Sequence, residues 1–167
     1  MIDLFIRFIL PAAYELLPPA MESQAATGLM LAIGLQESRF EHRRQIKGPA
    51  KSAFQFERDG GVRGVMEHPS TAAIIRDVFT KLRYPTDLSV SKAYDAIEHN
   101  DILASCFARC LLWTDARPLP FVHEPQVGWQ IYTSVWKPGR PHPDTWSANY
   151  AAAWARTIVP VPGDRRA

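Results

Sequence analysis

The chain has 167 residues, of which 47% are hydrophobic and 22% charged, and its formal net charge is +2. That length is enough for one domain with a single buried core, and the composition is typical of a globular protein. The small charge gives no reason to expect a nucleic-acid partner, although it would tolerate an anionic polymer. No apolar run approaches the roughly 20 residues of a membrane span. We therefore expect no stable membrane insertion, no signal peptide and a cytoplasmic location.

The N-terminal third predicts two helices. The first covers 3–17 and is bent or restarted at Pro11, because proline has no amide hydrogen to donate. A helix lying on a membrane surface is the alternative for this segment. The second helix covers 23–38, with Ser23 as its N-cap. It is apolar on both sides, which is typical of a central, buried helix.

The rest of the chain predicts short helices separated by proline and glycine turns. The segment after the second helix is irregular, with at most a small β-hairpin near 48–57. Ser70 and Asp144 are candidate N-caps of later helices. The further helices are predicted over 62–67, 70–82, 89 or 91 to 99, 102–113, 126–135 and 144–157. The fold class is therefore all-α, in a single domain over 1–167 with a flexible tail at 159–167.

The two cysteines, Cys106 and Cys110, are four residues apart in a predicted helix. They lie on one face, where the helical backbone disfavours a disulfide. We expect two buried, reduced thiols. No cysteine or histidine pair has the spacing of a zinc site, so we expect neither a metal ion nor a cofactor.

Glu37 is the carboxylate that suggests chemistry. It shares a helical face with Met30, Ile33 and Phe40, near the end of the second helix. Apolar surroundings and the C-terminal end of a helix both disfavour the anion, so we expect the pKa of Glu37 to be raised. A carboxylic acid that stays protonated near neutral pH can donate a proton to a glycosidic oxygen.

The alternative is a structural carboxylate at the rim of the helix. Arg39, Arg43 and Arg44 follow closely, and an ion pair with any of them would lower the pKa of Glu37 instead. The spacing of these residues leaves both roles open.

Two segments resemble a known family. Residues 36–40 read Gln-Glu-Ser-Arg-Phe, and residues 48–55 read Gly-Pro-Ala-Lys-Ser-Ala-Phe-Gln. They resemble the lysozyme-like lytic transglycosylases, which combine a Glu-Ser pair, an aromatic residue two positions on, and a second segment similar to Gly-Ala-x-Gly-Leu-Met-Gln. The resemblance implies a lysozyme-like helical domain in which Glu37 is the single catalytic glutamate and Gln55 lines the cleft.

The segment that contains Trp129 and Tyr132 resembles small phage-encoded members of the same superfamily. The resemblance implies cleavage of the MurNAc-GlcNAc strand of peptidoglycan by a monomer, after its release or as part of a phage particle. It also implies substrate contacts from Ser38, Phe54, Gln55 and Tyr132. For the aromatic side chains, packing in the core is the alternative.

The reaction depends on a second carboxylate. A two-carboxylate glycosidase would need Glu57 or Asp59 opposite Glu37, whereas a single-glutamate enzyme uses a hydroxyl of its own substrate and releases an anhydro-sugar. We favour the transglycosylase. A hydrolytic lysozyme, a non-catalytic glycan-binding or virion structural protein of this fold, and a helical interaction module are the alternatives.

Overall fold

The computed structural model describes residues 1–157 and is mostly helical, which confirms the all-α class. The expected tail at 159–167 lies outside the described residues. The α-helices are α1 (Ile2–Leu4), α2 (Leu10–Leu16), α3 (Gln24–Glu37), α4 (Arg63–Glu67), α5 (Ala72–Lys81), α6 (Val90–His99), α7 (Asp101–Trp113), α8 (Pro125–Trp136) and α9 (Pro143–Thr157). Shorter helical turns are Phe5–Ile9 and Arg58–Val62, both π-helical, and Pro19–Met21, which is a 3₁₀ turn.

The small β-hairpin that the sequence allowed near 48–57 does not form. Within residues 1–157 this segment forms only isolated antiparallel bridges, between Arg44 and Lys51 and between Lys51 and Phe56. Ser52 and Gln55 both adopt left-handed backbone conformations, with φ of 69° and 50°. Two such residues turn the chain too sharply for extended strands to pair along their length.

The first helix restarts next to Pro11, which is one of the two predicted alternatives. The chain widens into the π-helical turn Phe5–Ile9, and α2 then begins at Leu10. Pro11 then lies in the first turn of α2, where an amide hydrogen is not needed by the helix. The proline therefore costs no interior hydrogen bond.

Helix starts were predicted with mixed success. Ser23 caps α3 by accepting a hydrogen bond from the amide of Ala26, and Ser89 caps α6 in the same way. Ser70 is wrong as a cap, because α5 begins after Thr71, whose hydroxyl donates to the carbonyl of Val65 instead. Asp144 is also wrong as a cap, because it lies inside the first turn of α9.

Helix α3 runs through the hydrophobic core of the described residues. It packs along α9, and Gly28 allows the ring of Trp154 to approach its backbone. Gly34 does the same for the ring of Phe40, which folds the turn after α3 back onto the helix. Glu37 ends α3 where the core opens to solvent.

Two further expectations concern membranes and thiols. Across residues 1–157, none of the helices has the length and apolar character needed to cross a bilayer.

Cys106 and Cys110 are both buried and unbonded to each other, as predicted. Burial raises the pKa of the Cys106 thiol and raises that of Cys110 to about 12, so both stay protonated.

Candidate active site

A cavity of about 660 Å³ opens beside the C-terminal end of α3. Three stretches form most of its wall: the end of α3, the turn that leads into α4, and the end of α8 with the turn that follows. The residues that line it include Gln36, Glu37, Gln55, Glu57, Asp59, Gly64, Tyr132, Trp136, Lys137, Arg140 and His142. The wall therefore offers several hydrogen-bonding groups to a hydroxyl-rich ligand.

Glu37 presents a partly buried carboxyl group to this cavity. Its Oε1 accepts a hydrogen bond of 2.7 Å from the hydroxyl of Tyr132. Burial, and to a lesser degree the negative charge of Glu57, raise the pKa of Glu37 to about 7, although the Tyr132 hydrogen bond lowers it. Near neutral pH the carboxyl group is therefore divided between its protonated and ionised forms.

The arginines that follow Glu37 are not its partners. Arg43 binds Asp101, with Nε to Oδ1 at 2.9 Å, and Arg44 binds Glu98 through two hydrogen bonds of 2.9 and 2.8 Å. Within residues 1–157 neither Glu37 nor Arg39 forms an ion pair. The alternative of a carboxylate paired with arginine is therefore not what the structure shows.

Ser38 has a structural position, which corrects its assignment as a substrate contact. The residue is 7% exposed. Its hydroxyl donates a 2.6 Å hydrogen bond to the carbonyl of Ala53 and accepts one of 3.0 Å from the amide of Phe40. Ser38 thus ties the second motif to the end of α3, and its side chain is not part of the cavity wall.

Phe54 is also corrected as a substrate contact, because its side chain is 0% exposed. Its ring packs edge-on against Phe5 and Phe40, with ring centroids 6.1 Å apart in each pair. Its carbonyl accepts a 3.0 Å hydrogen bond from the indole of Trp136 at the end of α8. Phe54 is therefore a core residue that packs beneath the cavity wall and positions Trp136.

Gln55 lines the cavity. Its amide nitrogen donates to the carbonyl of Ser52 at 2.7 Å and to that of His42 at 3.3 Å. Those two bonds fix the side chain. Its amide oxygen has no partner among the described protein groups, so it is free to accept a hydrogen bond from a ligand hydroxyl.

Tyr132 contributes its hydroxyl group rather than its ring. The residue is 3% exposed, and its ring stacks on Trp146 at a centroid distance of 5.3 Å and an angle of 7°. Burial and the carboxyl group of Glu37 raise the pKa of Tyr132 far above its usual value, so the hydroxyl remains a donor. The tyrosine is therefore a partner of Glu37, and its ring offers no exposed platform for a sugar.

The two candidate second carboxylates differ in their surroundings. Asp59 is held by Arg58 at 2.7 Å and by Arg63 at 2.9 Å, and these hydrogen bonds lower the pKa of Asp59. Glu57 is exposed, lines the cavity and forms no ion pair within residues 1–157. Because its charge raises the pKa of Glu37, the two carboxyl groups are close enough to interact.

Sequence reasoning missed Gln36, the residue before Glu37. Its amide nitrogen donates to the carbonyl of His142 at 2.9 Å, and its oxygen accepts from Thr145 at 3.1 Å and Asn149 at 2.8 Å. These bonds hold the start of α9 beside the cavity. No local pattern signals such a role, because the partners are more than 100 residues away along the chain.

Residues 1–157 contain no group of three or more His, Cys, Asp or Glu side chains placed to hold a metal ion. Comparisons of the chain with protein-family models, curated protein sequences and solved structures found no match. The resemblance to lytic transglycosylases therefore remains a prediction based on the two motifs.

Proposed function

We propose that this protein is a glycosidase that cleaves the MurNAc-GlcNAc strand of peptidoglycan, with Glu37 as its general acid. One observation carries the proposal: a carboxyl group with a pKa of about 7 lines a polar, solvent-connected cavity. General acids work best when their pKa lies near the working pH. The motif resemblance at Glu37 and Gln55 supplies the substrate class. Such an enzyme would reach the wall after its release or as part of a phage particle.

The reaction we favour is that of a lytic transglycosylase. Protonated Glu37 gives its proton to the leaving glycosidic oxygen while the bond from that oxygen to C1 of MurNAc breaks. A hydroxyl group of the same sugar then forms a new bond to C1, and the Glu37 carboxylate takes the proton of that hydroxyl. Between the two steps the hydrogen bond from Tyr132 stabilises the carboxylate. The product is an anhydro-sugar, and Glu37 ends protonated, ready for another cycle.

Hydrolysis is the second candidate, and the unpaired carboxylate of Glu57 is the observation that favours it. In that reaction Glu57 takes a proton from a water molecule whose oxygen forms the new bond to C1. Glu37 again protonates the leaving oxygen. Asp59 is a poor candidate for the base, because two arginines already bind its carboxylate.

Product analysis separates these reactions. Purified protein is incubated with peptidoglycan, and the fragments are resolved by mass spectrometry, together with variants Glu37→Gln and Glu57→Gln. Anhydro-muropeptides that persist in Glu57→Gln support the transglycosylase. Reducing ends that disappear in both variants support the hydrolase. Glu41→Gln is the matched control, because Glu41 is exposed and does not line the cavity.

The same experiment can overturn the proposal. If the wild-type protein yields no more fragments than Glu37→Gln, neither enzymatic reaction takes place. Retention of that inactive protein on the insoluble wall would then support a glycan-binding or virion structural role, and its absence from the wall would support a helical interaction module.

A further inference from the structure

The turn between α8 and α9 adds two basic side chains to the cavity wall. Lys137 and Arg140 both line the cavity and are exposed. Neither forms an ion pair within residues 1–157. By contrast, carboxylates already bind the basic side chains of the neighbouring irregular segment: Arg43, Arg44, Lys51 and Arg58.

This turn is held at both ends. Lys137 ends α8 in a left-handed conformation with φ of 48°, directly after Trp136, whose indole donates to the carbonyl of Phe54 at 3.0 Å. At the other end, the carbonyl of His142 accepts a 2.9 Å hydrogen bond from Gln36. The two cations are therefore carried by a turn that is anchored to the residue next to Glu37.

The cations share the cavity with Glu37 but do not control its charge. The pKa of Glu37 is raised by burial and by Glu57, and lowered by Tyr132, with no contribution from Lys137 or Arg140. A cation in contact with the carboxyl group would lower its pKa and remove the proton donor. Neither Lys137 nor Arg140 forms an ion pair with Glu37, so both are available to a part of the ligand away from the bond that Glu37 protonates.

The opposite sign of charge comes from another stretch of the wall. Glu57, in the turn that leads into α4, is acidic and forms no ion pair within residues 1–157, whereas Arg58 and Arg63 already bind the carboxylate of Asp59. A ligand with a negative group would be repelled from that stretch and attracted to Lys137 and Arg140. The charges thus select both a negatively charged ligand and its direction in the cavity.

We infer that Lys137 and Arg140 bind a carboxylate carried by a substituent of the glycan strand. These two side chains then give the site its preference for a carboxylate-substituted glycan over a neutral one built from N-acetylglucosamine alone. This inference rests on the proposed function. The carboxylate could belong to the stem peptide or to the lactyl group of the sugar, and the two sources share this chemistry.

Binding measurements with Glu37→Gln test the inference without cleavage of the ligand. Its dissociation constants are measured for three soluble strands of equal length: a peptide-bearing strand, a peptide-stripped strand that keeps its lactyl groups, and a neutral chitin oligosaccharide. We expect the neutral strand to bind roughly 5- to 20-fold more weakly than the peptide-bearing one, from two partly exposed ion pairs. The peptide-stripped strand binds like the peptide-bearing one if the lactyl group is the ligand, and like chitin if the peptide is.

Replacement of both cations by Lys137→Gln and Arg140→Gln in the same background should lower affinity for the acidic strand to that for chitin. Arg76→Gln, an exposed arginine outside the cavity wall, should leave the preference unchanged. The preference should also weaken as salt is added. In the active enzyme the double variant should raise KM for the acidic strand and leave kcat within about twofold of wild type, since the cations bind away from the cleaved bond.

The outcomes that would overturn the inference differ from those that would overturn the proposed function. If the double variant keeps the preference for acidic strands, or if wild type binds and cleaves acidic and neutral strands equally, the inference fails and the glycosidase stands. If no strand is bound or cleaved, the glycosidase fails, and the inference fails with it.

Discussion

At the scale of single residues, the proposed chemistry depends on the balance of effects on the pKa of one carboxyl group, that of Glu37. Burial raises the pKa of Glu37, the charge of Glu57 raises it further, and the hydrogen bond from Tyr132 lowers it, for a net value of about 7. That value lets one group give and take a proton near neutral pH. A cationic side chain in contact with Glu37 would have lowered its pKa and kept the carboxyl group ionised at neutral pH.

Glu37→Gln should lower activity on peptidoglycan by a factor on the order of 10²–10⁴, because the amide cannot donate an acidic proton. The fold should persist, since an amide oxygen can still accept the hydrogen bond from Tyr132. The initial rate of fragment release measures the effect, with Glu41→Gln as the control that keeps its activity. Retention of more than a tenth of the wild-type rate would exclude Glu37 as the acid.

Tyr132→Phe should move the alkaline limb of the pH–rate profile to higher pH. The hydroxyl of Tyr132 stabilises the carboxylate form of Glu37, so its removal raises the pKa of Glu37 above about 7. The ring can still stack on Trp146. The measurement is kcat/KM against pH. Tyr14→Phe is the control, because the hydroxyl group that it removes is hydrogen-bonded to Thr27 and not to Glu37; this variant should leave the alkaline limb in place. A limb that stays or moves to lower pH in Tyr132→Phe contradicts the assignment.

At the scale of elements, the packing of α3 depends on two glycines, which have no side chain. Alanine is the better helix former, yet this central helix has glycine at 28 and 34. A Cβ at Gly28 would lie 2.6 Å from Trp154, and one at Gly34 would lie 2.1 Å from Phe40. The glycines let α9 and the turn after Glu37 pack against the backbone of α3. The end of the helix is therefore set by its neighbours as well as by its own residues.

Gly28→Ala should destabilise the protein by about 1–3 kcal/mol through overpacking, which outweighs a gain of about 1 kcal/mol in helix propensity. Gly64→Ala is the matched control in α4, because nothing lies within 4 Å of its added Cβ. The control should be neutral or stabilising by up to about 1 kcal/mol. Urea denaturation gives both free energies of unfolding. Equal stability of wild type and Gly28→Ala would mean that α3 and α9 do not pack this closely.

At the scale of the whole molecule, ion pairs hold the irregular segment that carries the second motif. Glu98 of α6 binds Arg44 at 2.8 Å and Lys51 at 3.1 Å. Lys51 also binds Asp95 at 2.6 Å. The hydrogen bonds from Arg44 and Lys51 lower the pKa of Glu98 to about 2, although burial opposes them. Ion pairs thus hold the irregular segment against α6, and their contribution to stability depends on pH.

Two carboxyl groups should give the stability of the protein a maximum at mildly acidic pH. The folded pKa of Glu98, about 2, lies below the usual 4.5, so its contribution is complete above pH 4.5 and is lost as the pH falls. The folded pKa of Glu37, about 7, lies above 4.5, so stability is lost as the pH rises from 4.5 to 7. The effect at Glu37 is on the order of 3 kcal/mol. The effect at Glu98 is smaller, because solvent screens its ion pair with the exposed Arg44.

Urea denaturation between pH 2 and 8 checks this curve. Glu37→Gln should remove the loss on the neutral side, because an amide does not ionise. Glu98→Gln should flatten the acid side and lower stability near pH 5, where the ion pairs are otherwise intact. Wild-type stability that rises steadily from pH 4.5 to 8 would contradict the raised pKa of Glu37.

Local patterns were enough to predict much of the fold and part of the site. Periodicity and the Ser23 cap predicted the central helix, now seen as Gln24–Glu37, and the apolar face that carries Glu37. The structure brings Glu37, Gln55 and Tyr132 to one cavity. These features depend on backbone preferences and on side chains a few residues apart, which a sequence displays directly.

The remainder required the tertiary structure. Ser38 and Phe54 point into the interior, and Gln36 reaches His142 across 106 residues. The turn that carries Lys137 and Arg140 was predicted, but no local pattern indicated that it would line the cavity. The sequence by itself determined which helix ends at Glu37 and which arginines stand near it along the chain. Only the tertiary structure decided that those arginines bind Asp101 and Glu98 instead, because partner choice and desolvation depend on segments that meet through packing rather than through proximity in the chain.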